Sequence, residues 1–208
     1  MASWLTGTLS KLQTGTFRLP EIPTFNPQPF PLILKIENMA RPDLTRVAPF
    51  FHNYINQVPQ DDINVALHQL GNDFLKLMES IPADKQDYAY APGKWTLRES
   101  FQHIIDTERV LSYRALCFAR KEKQNLPGFD ENSYAENSKA ANRKWKDLIE
   151  EFASLRKATE LLFASFDKEQ LESGGIANNN PNYVLGQGFI IAGHCQHHVN
   201  IIRERYLK

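Results

Sequence analysis

Charge of one sign is what this 208-residue chain most plainly lacks, since 24 lysines and arginines balance 24 aspartates and glutamates. Without a basic excess there is no electrostatic footprint for nucleic acid or an anionic membrane, so the expected partner is a small molecule or another protein. No apolar run approaches the roughly 18–20 residues that span a bilayer, and Pro31-Leu32-Ile33-Leu34 is too short even for the core of a secretory signal. Cysteine is scarce: Cys117 and Cys195 both sit in segments that read as helices, which favours core thiols over a disulfide framework. The chain is therefore expected to be soluble and cytoplasmic. No strand alternation longer than a few residues, no internal repeat, no nucleophile elbow and no convincing Ser/His/Asp set is visible either.

What is present describes one globular domain, with 42% hydrophobic and 23% charged residues. Residues 1–38 stand apart, hydroxyl-rich at first and then studded with Pro20, Pro23, Pro27, Pro29 and Pro31. No packed structure is expected there. The absence of acids from the first twenty residues suits a transit peptide, but a spurious or flexible leader, with Met39 as an alternative start, is the favoured reading. The domain is then 39–208.

Within it, four segments carry the helical period. Leu67, Leu70, Phe74, Leu77, Met78 and Ile81 follow a cap at Asp61 or Asp62 and precede Pro82. After the Pro92-Gly93 turn, Thr96-Leu97-Arg98-Glu99 is a capping-box pattern that opens a second helix running to about Arg120. A loop rich in turn formers, Asn125 to Ser138, separates it from a third helix with Trp145, Leu148, Phe152, Leu155, Leu162 and Phe166 on one face. Such long loops often cover a site. The stretch from Ser173 to Asn182 breaks the chain again before a fourth helix, from about Tyr183 to Leu207. Four such helices predict an all-α four-helix bundle with long connections, an architecture whose interior commonly holds metal or cofactor sites.

Three of the six histidines lie within five residues of the last helix. At 100° per residue His194 and His198 are about 40° apart in azimuth and one turn apart along the axis, so both can point at one ion. They share a face with Ile190, Ile191, Ile201 and Ile202, where an unpaired polar group costs about 1–3 kcal/mol. A hydrogen-bonded pair of core or surface histidines has the same spacing. His197 falls at the flank of that face. His103, on the second helix, sits about 120° from the centre of the apolar face, on a stripe with Thr96, Ser100, Thr107 and Arg114 that suits either the wall of a polar cleft or a solvated face. His52 and His68 have no comparable setting. Three neutral imidazoles with an open fourth position make a catalytic zinc site, and nickel, iron, manganese or cobalt accept the same ligands. The remaining ring nitrogens need acceptors, for which Asp106 and Glu108 are candidates, with salt bridges to Arg109, Arg203 or Arg205 as the alternative.

The segments YAPGKWTLRESFQHIIDTERVLSYRALCFAR, LPGFDENSY and IIAGHCQHHVNIIRERYL, in that order and spacing, resemble the DinB-like (damage-inducible) superfamily of metal-binding four-helix bundles over about residues 40–208. The resemblance implies metal ligation by His103, His194 and His198. It also implies one of several activities. Members include metal-dependent transferases that activate a low-molecular-weight thiol such as bacillithiol, and maleylpyruvate isomerases that use mycothiol or glutathione. The leading expectation is a thiol S-transferase acting on an electrophile, with Arg114 and Arg205 as candidate cations for a cofactor's carboxylates. A metal-dependent hydrolase, with Asp106 or Glu108 as base, is the second. A non-enzymatic metal-binding stress protein, dimeric through an apolar helix face, is the third.

Overall fold

Each long helix starts where the chain offers its first amides a partner or a tight turn. The computed structural model describes residues 41–208, so the leader expected over residues 1–38 lies outside the described residues. Helix α1 is short, His52–Asn56, and follows two 3-10 turns, Leu44–Arg46 and Pro49–Phe51. Helix α2 spans Ile63–Glu79, with the Asp62 carboxylate accepting from the amides of Asn64 and Val65. Helix α3 spans Leu97–Ala119, and its capping box closes from both sides: Glu99 N–H donates to Thr96 Oγ1, and Thr96 N–H to Glu99 Oε2. Helix α4, Glu131–Asn137, and helix α5, Trp145–Ala164, come next. They are followed by the single turn α6, Lys168–Leu171, and helix α7, Val184–Ile201, which runs on into a π-helical turn, Ile202–Tyr206. Among the described residues no helix is long and apolar enough to cross a membrane.

The four expected helices are α2, α3, α5 and α7, and the sequence reading differs from the structure mainly between them. The break at 173–182 is a hairpin, β1 Gly174–Ala177 pairing antiparallel with β2 Asn180–Tyr183. Its two-residue turn, Asn178-Asn179, has φ of 51° and 61°. Two consecutive left-handed residues are what a type I′ turn requires, and asparagine tolerates that region. With strands this short, alternation had nothing to register. The loop at 125–138 contains α4, and α1 occupies a segment that carries no helical period.

Side-chain pairings set the directions of the bundle. Trp145 Nε1 donates to Met78 O and Arg156 to Leu67 O, so α5 runs antiparallel to α2. Ser100 meets Tyr206 while His103 meets His194, so α7 runs antiparallel to α3. Arg98 reaches Arg143 O while Glu108 reaches Arg156, which makes α3 and α5 parallel neighbours. Each of α2 and α3 packs on both α5 and α7, placing these two consecutive helices at opposite corners. Parallel neighbours cannot be joined by a tight turn, and residues 120–144, with α4 in their middle, make the crossover.

The core divides into two apolar clusters with a polar layer between them. One gathers Ile63, Leu67, Phe118, Phe163 and Phe189; the other gathers Phe74, Phe101, Trp145, Phe152 and Tyr206. Between them lie Glu108 and Arg156, both almost fully buried, joined by two hydrogen bonds of 2.9 and 2.7 Å. Glu108 was expected to need a partner, but the partner is Arg156, not Arg109, Arg203 or Arg205. Gly71 leaves the room: a Cβ there would stand 2.6 Å from Arg156 Nη1.

Gly193 makes a comparable allowance at the surface of α7. A Cβ at that position would lie 2.0 Å from Tyr54 O, so the α1 backbone rests directly on the turn of α7 that precedes His194. Gly193→Ala is expected to overpack this contact at a cost of about 1–3 kcal/mol, lowering Tm by roughly 2–12 °C. A thermal melt of the variant with an unchanged midpoint would show that α1 is not seated as described.

Candidate metal centre

The polar layer also carries the histidines. His103 is held on α3 one turn past the capping box, and His194 and His198 occupy successive turns of α7. Because the helices are antiparallel and adjacent, the three rings converge: His103 Nε2 and His198 Nε2 each lie 3.1 Å from His194 Nε2. A ligand atom from each residue lies within 4.8 Å of the others, a group that could hold a metal ion.

Hydrogen bonding alone does not account for this cluster. A neutral imidazole Nε2 carries either one proton or one in-plane lone pair, so His194 Nε2 can serve only one of its two neighbours at 3.1 Å. Tetrahedral ligation at about 2.0–2.1 Å places nitrogens about 3.3–3.4 Å apart, close to the spacing found. Burial pushes His103 down to about 4. Burial, with the His103 and His197 rings adding to it, takes His198 to about 3. His194 is lowered well below its ordinary value by burial first, then by the neighbouring rings and the Arg156 charge. All three are neutral near pH 7, with lone pairs available to a cation.

The rings are held by aromatic neighbours that periodicity did not single out. Trp95 packs over His103, with centroids 4.7 Å apart. Its own carbonyl accepts from Tyr206 Oη at 2.8 Å, so the π-helical turn fixes this cover. Tyr54 of α1 sets its ring edge-on to His194 at 5.5 Å. His103 Nδ1 lies 3.5 Å from Thr107 Oγ1, at the long limit for a hydrogen bond. The one available signal for Trp95 was its place between the Pro92-Gly93 turn and the capping box at Thr96.

Two cavities reach the cluster. One of about 200 Å³ is lined by His103 and His194 together with Thr107, Arg114, Gln187 and the loop residues Phe129 and Glu131. The other, of about 260 Å³, reaches His198 past Trp95 and Asn132. The polar stripe of His103, Thr107 and Arg114 is thus a cleft wall, covered by α7 and by the loop at 125–138.

The remaining expected residues fall elsewhere. Glu108 gives both oxygens to Arg156, and Asp106 accepts from Gln102 Nε2 at 2.9 Å, beside Arg109. Burial raises the Asp106 carboxyl against that hydrogen bond and the Arg109 charge. Neither lines the two cavities, so these carboxylates are absorbed by packing among helices. Arg205 is exposed and stacks at 5.5 Å over Tyr90, a residue of the second cavity's wall, without itself lining either cavity. His197 lies against Tyr54 and the outer side of His198. His52 pairs with the carbonyls of Leu44 and Val47, and His68 with Glu160 at the surface. Cys195 is buried beside Leu70 O with its thiol pushed up to about 11, chiefly by burial, and Cys117 is also unpaired.

Comparison with known proteins identifies the class. The model of the DinB superfamily matches residues 66–202, and the chain belongs to that superfamily. A solved structure, YfiT from Bacillus subtilis, described as a probable metal-dependent hydrolase with an unusual four-helix bundle topology, aligns with a TM-score of 0.58. The alignment covers 79% of this chain and 91% of YfiT at 15% identity, a likeness of fold. No curated protein matches the chain.

The depressed histidines link stability to pH. The unfolded chain takes up protons below about pH 6.5 while the folded one does not. The contribution of His103 and His198 is therefore complete above about pH 6.5, falls as pH drops, and is lost through about 4 and 3. Chelator-treated protein is expected to lose denaturant stability steadily from pH 6.5 to 4, and His103→Ala to flatten that slope. An equal slope in both would show that His103 is not buried in neutral form.

Proposed function

We propose that His103, His194 and His198 ligate a divalent metal through Nε2, zinc or nickel foremost, and that the chain is a transferase. On this reading it uses a low-molecular-weight thiol against an electrophile. The observation that carries the proposal is the convergence of three neutral, buried imidazole nitrogens at a cavity whose lining, among the described residues, includes no cysteine. A divalent cation held there would supply Lewis acidity and would lower the pKa of a bound thiol.

The chain's own contribution is to hold and enclose. Burial keeps the three ligands deprotonated, and Trp95 and Tyr54 fix the ring planes of His103 and His194. A transfer needs room for two reactants, and two cavities reaching the cluster from different sides supply it. A hydrolase is the second reading. It is supported by the description of YfiT and by Glu131, the carboxylate among the residues lining the cavity that reaches His103 and His194.

Purified chain is expected to contain close to one metal per molecule, with His103→Ala and His198→Ala each losing most of it. Metal-loaded chain should conjugate monochlorobimane only when a thiol is added. Unchanged metal content in both variants would sink the site, and thiol-independent ester or amide cleavage would hand the reaction to the hydrolase.

A further inference from the structure

The cavity that reaches His103 and His194 is lined by a buried cation, Arg114, that has no carboxylate within salt-bridge distance among the described residues. Arg114 is 5% exposed, and its guanidinium donates one hydrogen bond, Nη2 to Pro127 O at 2.7 Å, among the described residues. A guanidinium has five donors in a planar fork and stays charged when buried, so an unpaired one is costly unless a ligand completes it. Burial accordingly lowers Arg114 from its ordinary value, without a compensating neighbour.

A second polar group stands beside it unsatisfied. Gln187 of α7 is 1% exposed, lines the same cavity, and its Oε1 has no hydrogen-bond partner among the described residues. The antiparallel register that sets Ser100 against Tyr206 and His103 against His198 brings Arg114 level with Gln187. The cavity wall thus changes character along its length: imidazoles at one end, Thr107, Leu111 and Ile190 in the middle, and a fork of donors next to an acceptor at the other.

We propose that Arg114 and Gln187 form the receptor for an N-acyl amino-acid end of the reactant in this cavity. The carboxylate would take the Arg114 fork, and the adjacent amide N–H would donate to Gln187 Oε1. A bidentate arginine matches a planar carboxylate, and an acceptor next to it selects carboxylates that carry a neighbouring N–H donor. His103 and Arg114 are eleven positions apart on α3, about 16 Å along the axis. Allowing for the reach of the arginine side chain, the ligand is elongated, on the order of 10 Å from carboxylate to reacting atom. A short peptide-like molecule has these features; a bare hydrophobic electrophile does not. Only the location of the reacting atom rests on the metal reading given above.

The test is a calorimetric titration of the full-length purified chain with S-methylglutathione, whose blocked sulfur removes the thiolate while its carboxylates and amides remain. Saturable binding is expected, weakened at least tenfold in Arg114→Gln and several-fold in Gln187→Leu, with metal content equal to wild type in both. The diethyl ester of the same probe should bind wild type at least tenfold more weakly, an arm that needs no variant to fold. No saturable binding by wild type, equal affinity for acid and ester, or equal affinity in wild type and a folded Arg114→Gln would each overturn the receptor. These failures leave the metal site standing if metal content is normal. Absence of metal from wild type, with Arg114-dependent binding intact, would remove the proposed reaction and leave the receptor.

Discussion

The buried pair of Glu108 and Arg156 is the constraint around which the bundle is arranged. Two charges taken from water cost several kcal/mol each unless their hydrogen bonds are nearly complete. Here Glu108 of α3 gives both oxygens to Arg156 of α5, whose remaining Nη1 donates to Leu67 O of α2 at 2.8 Å. Burial opposes the charge on Arg156, and Glu108 more than offsets it, so the guanidinium stays protonated. Such a clamp admits little sliding of one helix along another, because a shift of one turn would leave a naked charge in the core. It therefore fixes the register of three helices, and through Gly71 and the packing of Cys195 against Leu70 the fourth as well. The histidine cluster lies in the same polar layer, where the Arg156 charge helps to hold His194 neutral.

Much of the bundle is visible in the sequence because its helices announce themselves locally. Asp62 and the Thr96/Glu99 box are caps whose partners lie two or three residues away, and the apolar periods of α2 and α5 face a core on one side only. Local chemistry is what a sequence states directly. The pairing of Glu108 was foreseeable as a need, since a carboxylate amid Ile104, Ile105 and Leu111 must be matched. Arg156 as the match was not, because α5 lies beside α3 only through a crossover that no local pattern records. The hairpin at 174–183 and α1 are legible only in context: one is too short for alternation, and the other is seated by the bare backbone of Gly193.

The histidines show the same division. The i,i+4 spacing of His194 and His198 is a property of one helix and can be read from it. His103 stands about 120° away from the apolar face of α3, a position that reads equally as solvated surface. Its burial follows from the number of neighbours: α3 packs on α5 with one face and on α7 with another, so the polar stripe that carries it is enclosed too. A helix between two others has no truly outward face along much of its length, and a single moment of hydrophobicity cannot describe it. Asp106 was a candidate because it follows His103 by three residues, and Glu108 because a carboxylate on the apolar face must be paired. Glu108 is taken by Arg156 of α5 and Asp106 by Gln102 of its own helix, and the polar group that stands near His103 Nδ1, at 3.5 Å, is Thr107 Oγ1.

The topology and the cavity have one origin. Placing α3 and α5 side by side and parallel forces the chain to return the length of the bundle between them, over residues 120–144, outside the four-helix core. That return segment has its own small packing. Leu126 exchanges backbone hydrogen bonds with the hairpin, to Ile176 O and from Asn178, so crossover and hairpin brace one another. Phe129 and Glu131, together with Asn178 and Asn182, then stand over the seam between α3 and α7 and turn a groove into a partly covered cavity of about 200 Å³. A tight-loop bundle with the same helices would leave His103 and His194 at the bottom of an open groove. Water would compete there for any charge that forms. The crossover reduces that exposure, and the long connection is thereby tied to what it covers.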